Sequence, residues 1–269
     1  MSAAAEKAIA VFDSGVGGLT VFKALRRAMP SEKLIYFGDT ARLPYGTKSP
    51  EVVQRFSVEI ARYLARKKIK LFVIACNSAS ALAFKALRKT LRVPVLDVIG
   101  PAVRTAAAVR GRGAVGVIGT AATVQSGASQ RALKKALGGR RILAKACPLL
   151  VPLVEEGWFR HPITRQVLRE YLKSFGRVRL EALILGCTHY PLLKPLLRAE
   201  LRTGTRLIDS GEEVARDADE LLRARKLRRL RGRGTESFYV TDGAERFRRL
   251  AQRILGGRRR RVHVVRFPF

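Results

Sequence analysis

The sequence is short of acid: 21 Asp and Glu stand against 53 Lys and Arg, a formal net charge of +32. A field of that size draws anions toward the molecule, so a small dicarboxylate and nucleic acid are both candidate ligands. Long apolar runs are missing as well. None approaches the roughly 18 residues that a membrane span needs, so no membrane partner is expected. The opening MSAAAEKAIAVF has no secretory pattern, because Glu6 and Lys7 are followed almost at once by a short apolar stretch. Cysteine and histidine are scarce, three of each. Without close pairing or a Cys-x-x-Cys motif, the cysteines argue against a disulfide framework and a zinc site, and for a reducing cytoplasm. His161, His189 and His263 are scattered, so no metal is expected. Hydrophobic residue is plentiful at 47%, enough for the core of one large domain or two ordinary ones.

Residues 71–80, LFVIACNSAS, organise the rest. An apolar run ends abruptly at Cys76 and is followed by Asn77 and Ser78, which reads as a strand buried on both faces leading into a helix. In open α/β sheets, ligands gather at the carboxyl ends of the strands. A thiol at such a point feels the positive end of the next helix, which is expected to lower its pKa. Taken alone, Cys76 is better read as a small buried hydrophobe. Residues 181–189, EALILGCTH, change that reading by repeating the arrangement: apolar strand, Cys187, then Thr188 and His189. Two such cysteines suggest the two halves of one site.

In chain order, residues 8–13 read as a strand, and Ser14-Gly15-Val16-Gly17-Gly18 opens a helix carrying Leu19, Phe22 and Leu25. A second strand over 34–37 ends in Gly38-Asp39-Thr40 and a turn-rich loop over 41–49. Ser49-Pro50-Glu51 is a helix start, with a capping hydroxyl, a proline at the first position and an acid in the first turn. That helix runs to about Lys68 and feeds the strand before Cys76; a helix over 78–89 and a strand over 93–98 follow. The βαβαβα order implies a parallel, doubly wound sheet. After a helix over 101–109 the pattern restarts with a strand over 113–118, ending in Gly119-Thr120 as the first strand ended in Asp13-Ser14. A helix over 126–137, a strand over 141–145, a helix over 163–175 and the Cys187 strand complete a second unit. A strand over 205–208 and a helix over 212–225 come next. Residues 237–241, 245–255 and 262–267 have no copy in the second unit and are expected to pack on the first. The expected fold is α/β, two pseudo-symmetric doubly wound parallel-sheet domains with the active site in the cleft between them. The first would comprise 1–99 plus 210–269, and the second 100–209.

Gly15-Val16-Gly17-Gly18 after a strand invites a dinucleotide-binding reading, with Asp39 downstream as the ribose acid. Thr20 stands where that fingerprint needs a third Gly or Ala, and Asp13 would crowd a pyrophosphate with negative charge. A better use of the same geometry has Ser14 and backbone N–H groups holding a carboxylate, while Asp13 holds an ammonium or assists a base. The loop over 38–49 concentrates Asp39, Thr40, Arg42, Tyr45, Thr47 and Ser49. Alone it reads as a solvent loop, but Pro44-Tyr45-Gly46 is a rigid turn able to present N–H groups and a hydroxyl to a ligand. Thr120, Thr123 and Ser126 are either ligand hydroxyls or helix caps. Glu155 is either a helix cap or a group facing the cleft. Cys147, before Pro148, has no acid or His beside it and reads as structural. His189 is placed to orient or reprotonate the Cys187 thiol. The basic stretches 223–234 and 256–261 lack interleaved aromatics and read as solvated faces or linkers, although charge alone predicts salt-sensitive polyanion binding.

Two thiols on opposite walls of a cleft suit the removal of a proton from one face of a carbon and the return of one to the other. A thiol starts near a pKa of about 8.5 and can be tuned for general acid–base work. A closed, dry site with fixed donors on a carboxylate would stabilise the carbanion-like transition state. The pattern predicts a racemase that uses no cofactor.

Six motifs, FDSGVGGLTV from Phe12, YFGDTARLPYG from Tyr36, ACNSASA from Ala75, CPLLVPLVEEG from Cys147, LGCTHYPLL from Leu185 and LIDSGEEVA from Leu207, run in order along nearly the whole chain. They resemble the glutamate racemases of the aspartate/glutamate racemase superfamily. The resemblance implies a cofactor-independent two-base enzyme making D-glutamate for peptidoglycan, with the substrate between two α/β domains. It implies Cys76 and Cys187 as the catalytic thiols, with Asp13, Glu155 and His189 as the polar residues beside them. Asp13, Ser14, Tyr45, Gly46, Asn77, Ser78, Thr188 and His189 match its substrate contacts. Ser78 stands where the family commonly has Thr, and the hydroxyl is kept. The expected partners are glutamate and a second copy of the chain. The arginine excess, which the family does not require, leaves open a contact with a polyanion or, as reported for some members, with DNA gyrase. The rival readings are a racemase of aspartate or another acidic amino acid, and a basic nucleic-acid-binding protein.

Overall fold

Residues 3–176, 178–257 and 259–267 are described by the computed structural model; Arg258, inside the second basic run, and the termini lie outside the described residues. The first strand, β1 (Ala8–Asp13), is buried along its whole length. Such a strand needs cover on both faces, and the chain supplies it with alternating helices: α1 (Leu19–Ala28), β2 (Leu34–Gly38), α2 (Pro50–Ala65), β3 (Ile69–Ile74), α3 (Asn77–Thr90), β4 (Val95–Asp97) and α4 (Ile99–Ala107). Ser49 caps α2 by accepting the Val52 N–H, with Pro50 at the first position.

The second run holds β5 (Ala114–Gly119), α5 (Ala121–Gln125), α6 (Ala128–Leu137), β6 (Ile142–Ala146), α7 (Leu150–Glu155), α8 (Pro162–Leu172), β7 (Leu180–Gly186), α9 (Lys194–Glu200) and β8 (Arg206–Asp209). The chain closes with α10 (Ser210–Ala224), β9 (Glu236–Val240), α11 (Ala244–Leu255) and β10 (Val262–Val264). One sheet has the order β10-β9-β2-β1-β3-β4 and the other β6-β5-β7-β8. The pairs are parallel in both. Separate apolar clusters line the two faces of each sheet. Among the described residues no helix is long and apolar enough to cross a membrane.

The fold class read from the strand pattern is the one observed. Four elements differ. The helix expected over 126–137 is α6, which starts at Ala128 after Gly127 turns left-handed at φ 64, and the short α5 before it is additional. Short α7 and α9 were hidden by prolines at 152 and 195, which sit where an early helical turn tolerates them. The last strand stops at Val264.

Candidate active site

Each sheet reverses its strand order beside its central strand: β2-β1-β3 in one and β6-β5-β7 in the other. The crevice at such a switch point opens at the carboxyl ends of the strands. Cys76 follows β3 and Cys187 follows β7, so the two thiols occupy corresponding places in the two sheets. Both line one cavity of about 30 Å³, with Ser14, Tyr45, Gly46, Asn77, Ser78, Glu155, Thr188 and His189 around it. Asp13 is the exception among the expected residues. It is fully buried behind the wall, where its carboxylate accepts the Gly15 N–H at 2.9 Å and the Thr188 hydroxyl at 3.4 Å. Burial raises the Asp13 pKa, against the pull of the His189 charge and the Gly15 and Gly18 N–H groups.

Cys76 is 5% exposed and is the N-cap of α3. Its Sγ accepts the Ala79 N–H at 3.5 Å and donates to Ser14 Oγ at 3.6 Å. The helix start was expected to lower this thiol, and the outcome is the reverse. Burial first, and the Asp13 carboxylate second, push it up to about 12, outweighing the Ala79 and Ser14 contacts. Cys76 therefore rests as a thiol.

The Cys187 side is built differently. His189 Nδ1 lies 3.6 Å from Cys187 Sγ, and Nε2 lies 3.2 Å from Glu155 Oε1. Each ring nitrogen thus faces an acceptor, which suits the doubly protonated ring. Burial works against that charge, but the contacts with Cys187 and Glu155 overcome it and raise the His189 pKa to about 10. Burial likewise works to raise Glu155, yet the hydrogen bond and charge of His189, with Arg246, leave it below its ordinary value. Arg246 Nη2, from α11, stands 3.3 Å from Glu155 Oε2. Glu155 ends α7 and faces the cleft.

Polar donors converge on the rest of the wall. Ser78 Oγ is 2.9 Å from Thr120 Oγ1 and 3.4 Å from Thr123 Oγ1, bridging α3 to α5. Thr120 is at once a cap of α5 and a cavity residue, whereas Ser126 is spent on capping α6. Asn77 is 4% exposed, and its Nδ2 has no hydrogen-bond partner. An unmade buried bond costs about 1–3 kcal/mol, so a donor left this way marks a place for an acceptor. Tyr45 lines the cavity, but its hydroxyl is donated to Asp39, which also binds Arg42 and Thr241. The turn therefore offers its backbone, and not the hydroxyl, to the cavity. Sequence reasoning missed this Asp39 network and Arg246, because both depend on contacts with the last 30 or so residues (roughly one small βαβ unit). Cys147 lies in the core, with its thiol directed at the Lys145 carbonyl 3.6 Å away.

The glycines after β1 serve close approach between the sheets. A Cβ on Gly17 would fall 2.3 Å from Thr188 Oγ1 and 2.5 Å from His189 Nδ1. Only a bare backbone lets Thr188 and His189 seat against the first strand's turn.

A model of the Asp/Glu/Hydantoin racemase family matches residues 18–218. A glutamate racemase of Geobacter metallireducens is 48% identical over 260 residues, 96% of each chain. The crystal structure of glutamate racemase from Thermus thermophilus, in complex with β-chloro-D-alanine, is similar at TM-score 0.89 and 48% identity, covering 97% of this chain and 98% of that one. Glutamate racemase from Francisella tularensis, solved in complex with D-glutamate, is similar at TM-score 0.91 and 36% identity over the same shares.

Proposed function

The chain belongs to the Asp/Glu/Hydantoin racemase family, and from that premise we propose that it interconverts L- and D-glutamate, with Cys76 and Cys187 acting on opposite faces of the α-carbon. The observation that carries this reading is one cavity lined by two thiols from corresponding strand ends, each 5% exposed. Relatives named for glutamate racemisation, one of them solved with D-glutamate, support the substrate.

The electrostatics favour one starting arrangement. Cys187, with the His189 imidazolium against its sulfur, acts as base, and Cys76 as acid. Cys187 takes the α-proton, and the electron pair left on carbon spreads into the substrate carboxylate. Asn77 Nδ2, the Ser78 hydroxyl and the backbone of Tyr45, Gly46 and Thr188 supply donors there. Cys76 then gives its proton to the opposite face, and its new charge is taken up by the Ser14 hydroxyl and the Ala79 N–H. No atom is gained or lost, and no electron is transferred to or from a cofactor. The two sulfurs end with exchanged protonation states, so the reverse reaction starts where the forward one stops. Glu155 holds the His189 charge, and Asp13 acts from behind Gly15 and Thr188.

In the cell the product is D-glutamate for peptidoglycan, made in the cytoplasm by a homodimer of chains whose units are 1–99 plus 210–269, and 100–209. The test is L-glutamate in deuterated water, with optical rotation and α-deuterium followed together and L-aspartate as the control. Rotation should fall to zero as deuterium enters the α-carbon. Cys76→Ala and Cys187→Ala should each abolish racemisation, while single Cys→Ser variants should retain α-proton exchange with one enantiomer. Near-normal turnover in either alanine variant would sink the two-thiol mechanism.

A further inference from the structure

Part of each arginine run singled out in the sequence is spent on ion pairs. Arg228 has an 8% exposed side chain and pairs with Asp219 at 2.5 Å; Arg229 pairs with Glu6 at 3.1 Å. Arg259 and Arg260 pair with Glu245 and Glu236. A different set is left free. Arg55 and Arg62 of α2, with Arg66 as its C-cap, are exposed and make no ion pair with any described residue.

Spaced seven and four positions apart, these three project within about 40° of arc and along about 16 Å of helix axis. They line one wall of an open groove whose far wall is the tail at Val265, Arg266 and Phe267. Phe56 and Tyr63 are half-buried in the floor, beside Arg42. The Arg42 guanidinium lies 4.2 Å over the Phe56 ring and 5.1 Å over that of Phe267. Its Nε binds Asp39 and its Nη1 binds Glu59, but its Nη2 is buried with no hydrogen-bond partner. Glu51 and Glu59 also line the groove, but Arg42, Arg55, Arg62, Arg66 and Arg266 outnumber them, and the excess of positive charge suits an anion.

We propose that this groove binds single-stranded nucleic acid, with the arginine row on successive phosphates and the rings of the groove against unpaired bases. A basic track interleaved with aromatic rings is the arrangement single strands use. A duplex hides the base faces, and a lone phosphate would engage only one of the three arginines. Phe56 and Tyr63 follow Arg55 and Arg62 directly in α2, and the fold adds Phe267 from the tail. Binding there is independent of racemisation.

The experiment is fluorescence anisotropy of a labelled single-stranded DNA of about 16 nucleotides, long enough to span the arginine row, titrated with the full chain over a KCl series. The triple variant Arg55→Gln, Arg62→Gln, Arg66→Gln should flatten the slope of log K against log salt by about 2, at about 0.7 for each phosphate no longer neutralised. The charge-matched triple Arg131→Gln, Lys134→Gln, Lys135→Gln on α6 should leave the slope unchanged. Both triples should keep the parent's racemisation rate and melting temperature, which separates loss of binding from loss of fold. Equal flattening in the two triples, or a duplex of the same sequence bound as tightly as the single strand, would overturn the groove as the site.

Discussion

His189 shows how a single residue is set by what surrounds it. Burial penalises its charge, yet a sulfur on one side and the Glu155 carboxylate on the other raise its pKa from 6.5 to about 10. The folded protein therefore holds this proton more tightly than the unfolded chain does. The associated stability is complete below about pH 6.5 and is lost as the pH rises through about 10. His189→Gln should lower the urea midpoint most at about pH 6, and its deficit should close by about pH 10. A deficit constant across that range would mean that His189 acts by packing alone. Cys76 shows the opposite balance. Its place at a helix start was legible in the sequence, but its pKa was not, because the burial that mainly raises it, and the Asp13 carboxylate that adds to it, both come only with the fold. Asp13 was likewise legible as important, while its placement was not. A strand-end acid can face a ligand or stand behind the wall, and the turn at Gly15, which donates to it, decides for the second.

At the scale of elements, the turn between β1 and α1 is one place where the two units meet. Thr20 Oγ1 donates to the Thr188 carbonyl at 2.9 Å, and Gly17 lies against Thr188 and His189. Gly17→Ala should cost about 1–3 kcal/mol through overpacking. It should also lower kcat by about 10²-fold, by displacing His189 from Cys187. Urea unfolding and turnover of the one variant check both, and a stable variant with full activity would show that the contact gives way freely. The GVGG stretch was visible in the sequence as a close-approach motif, but which partner approached was not. Nucleotide phosphates and a second strand's turn make the same demand for bare backbone. The βαβ order was readable because a strand buried on both faces leaves a continuous apolar run. Short α7 was not, since six residues carry too little periodicity to stand out from a loop.

Across the whole molecule, the return of the chain is held by a buried charge cluster. Lys70 of β3 is 3% exposed and donates to the Ala5 carbonyl at 2.6 Å and the Leu227 carbonyl at 2.8 Å. Its Nζ stands 2.6 Å from Glu32 Oε2, a contact of charge that lacks hydrogen-bond alignment. Glu32 in turn accepts the Arg229 N–H at 2.7 Å. Lys70→Met should cost about 3 kcal/mol by leaving Glu32 buried with only the longer contact to Arg228 at 3.6 Å, and adding Glu32→Gln should recover part of that. Chemical denaturation of the two variants measures it; equal destabilisation would place the cost in the lysine's carbonyl contacts. By itself the sequence determined the parallel α/β class and the two strand-end thiols, because burial on both faces and a polar residue closing an apolar run are local signals. Only the tertiary structure decided which arginines are spent on ion pairs, which acid backs Cys76, and that α11 brings Arg246 to Glu155. Those outcomes depend on distances between residues far apart in the chain, and neither spacing nor composition encodes a distance until the sheets have closed.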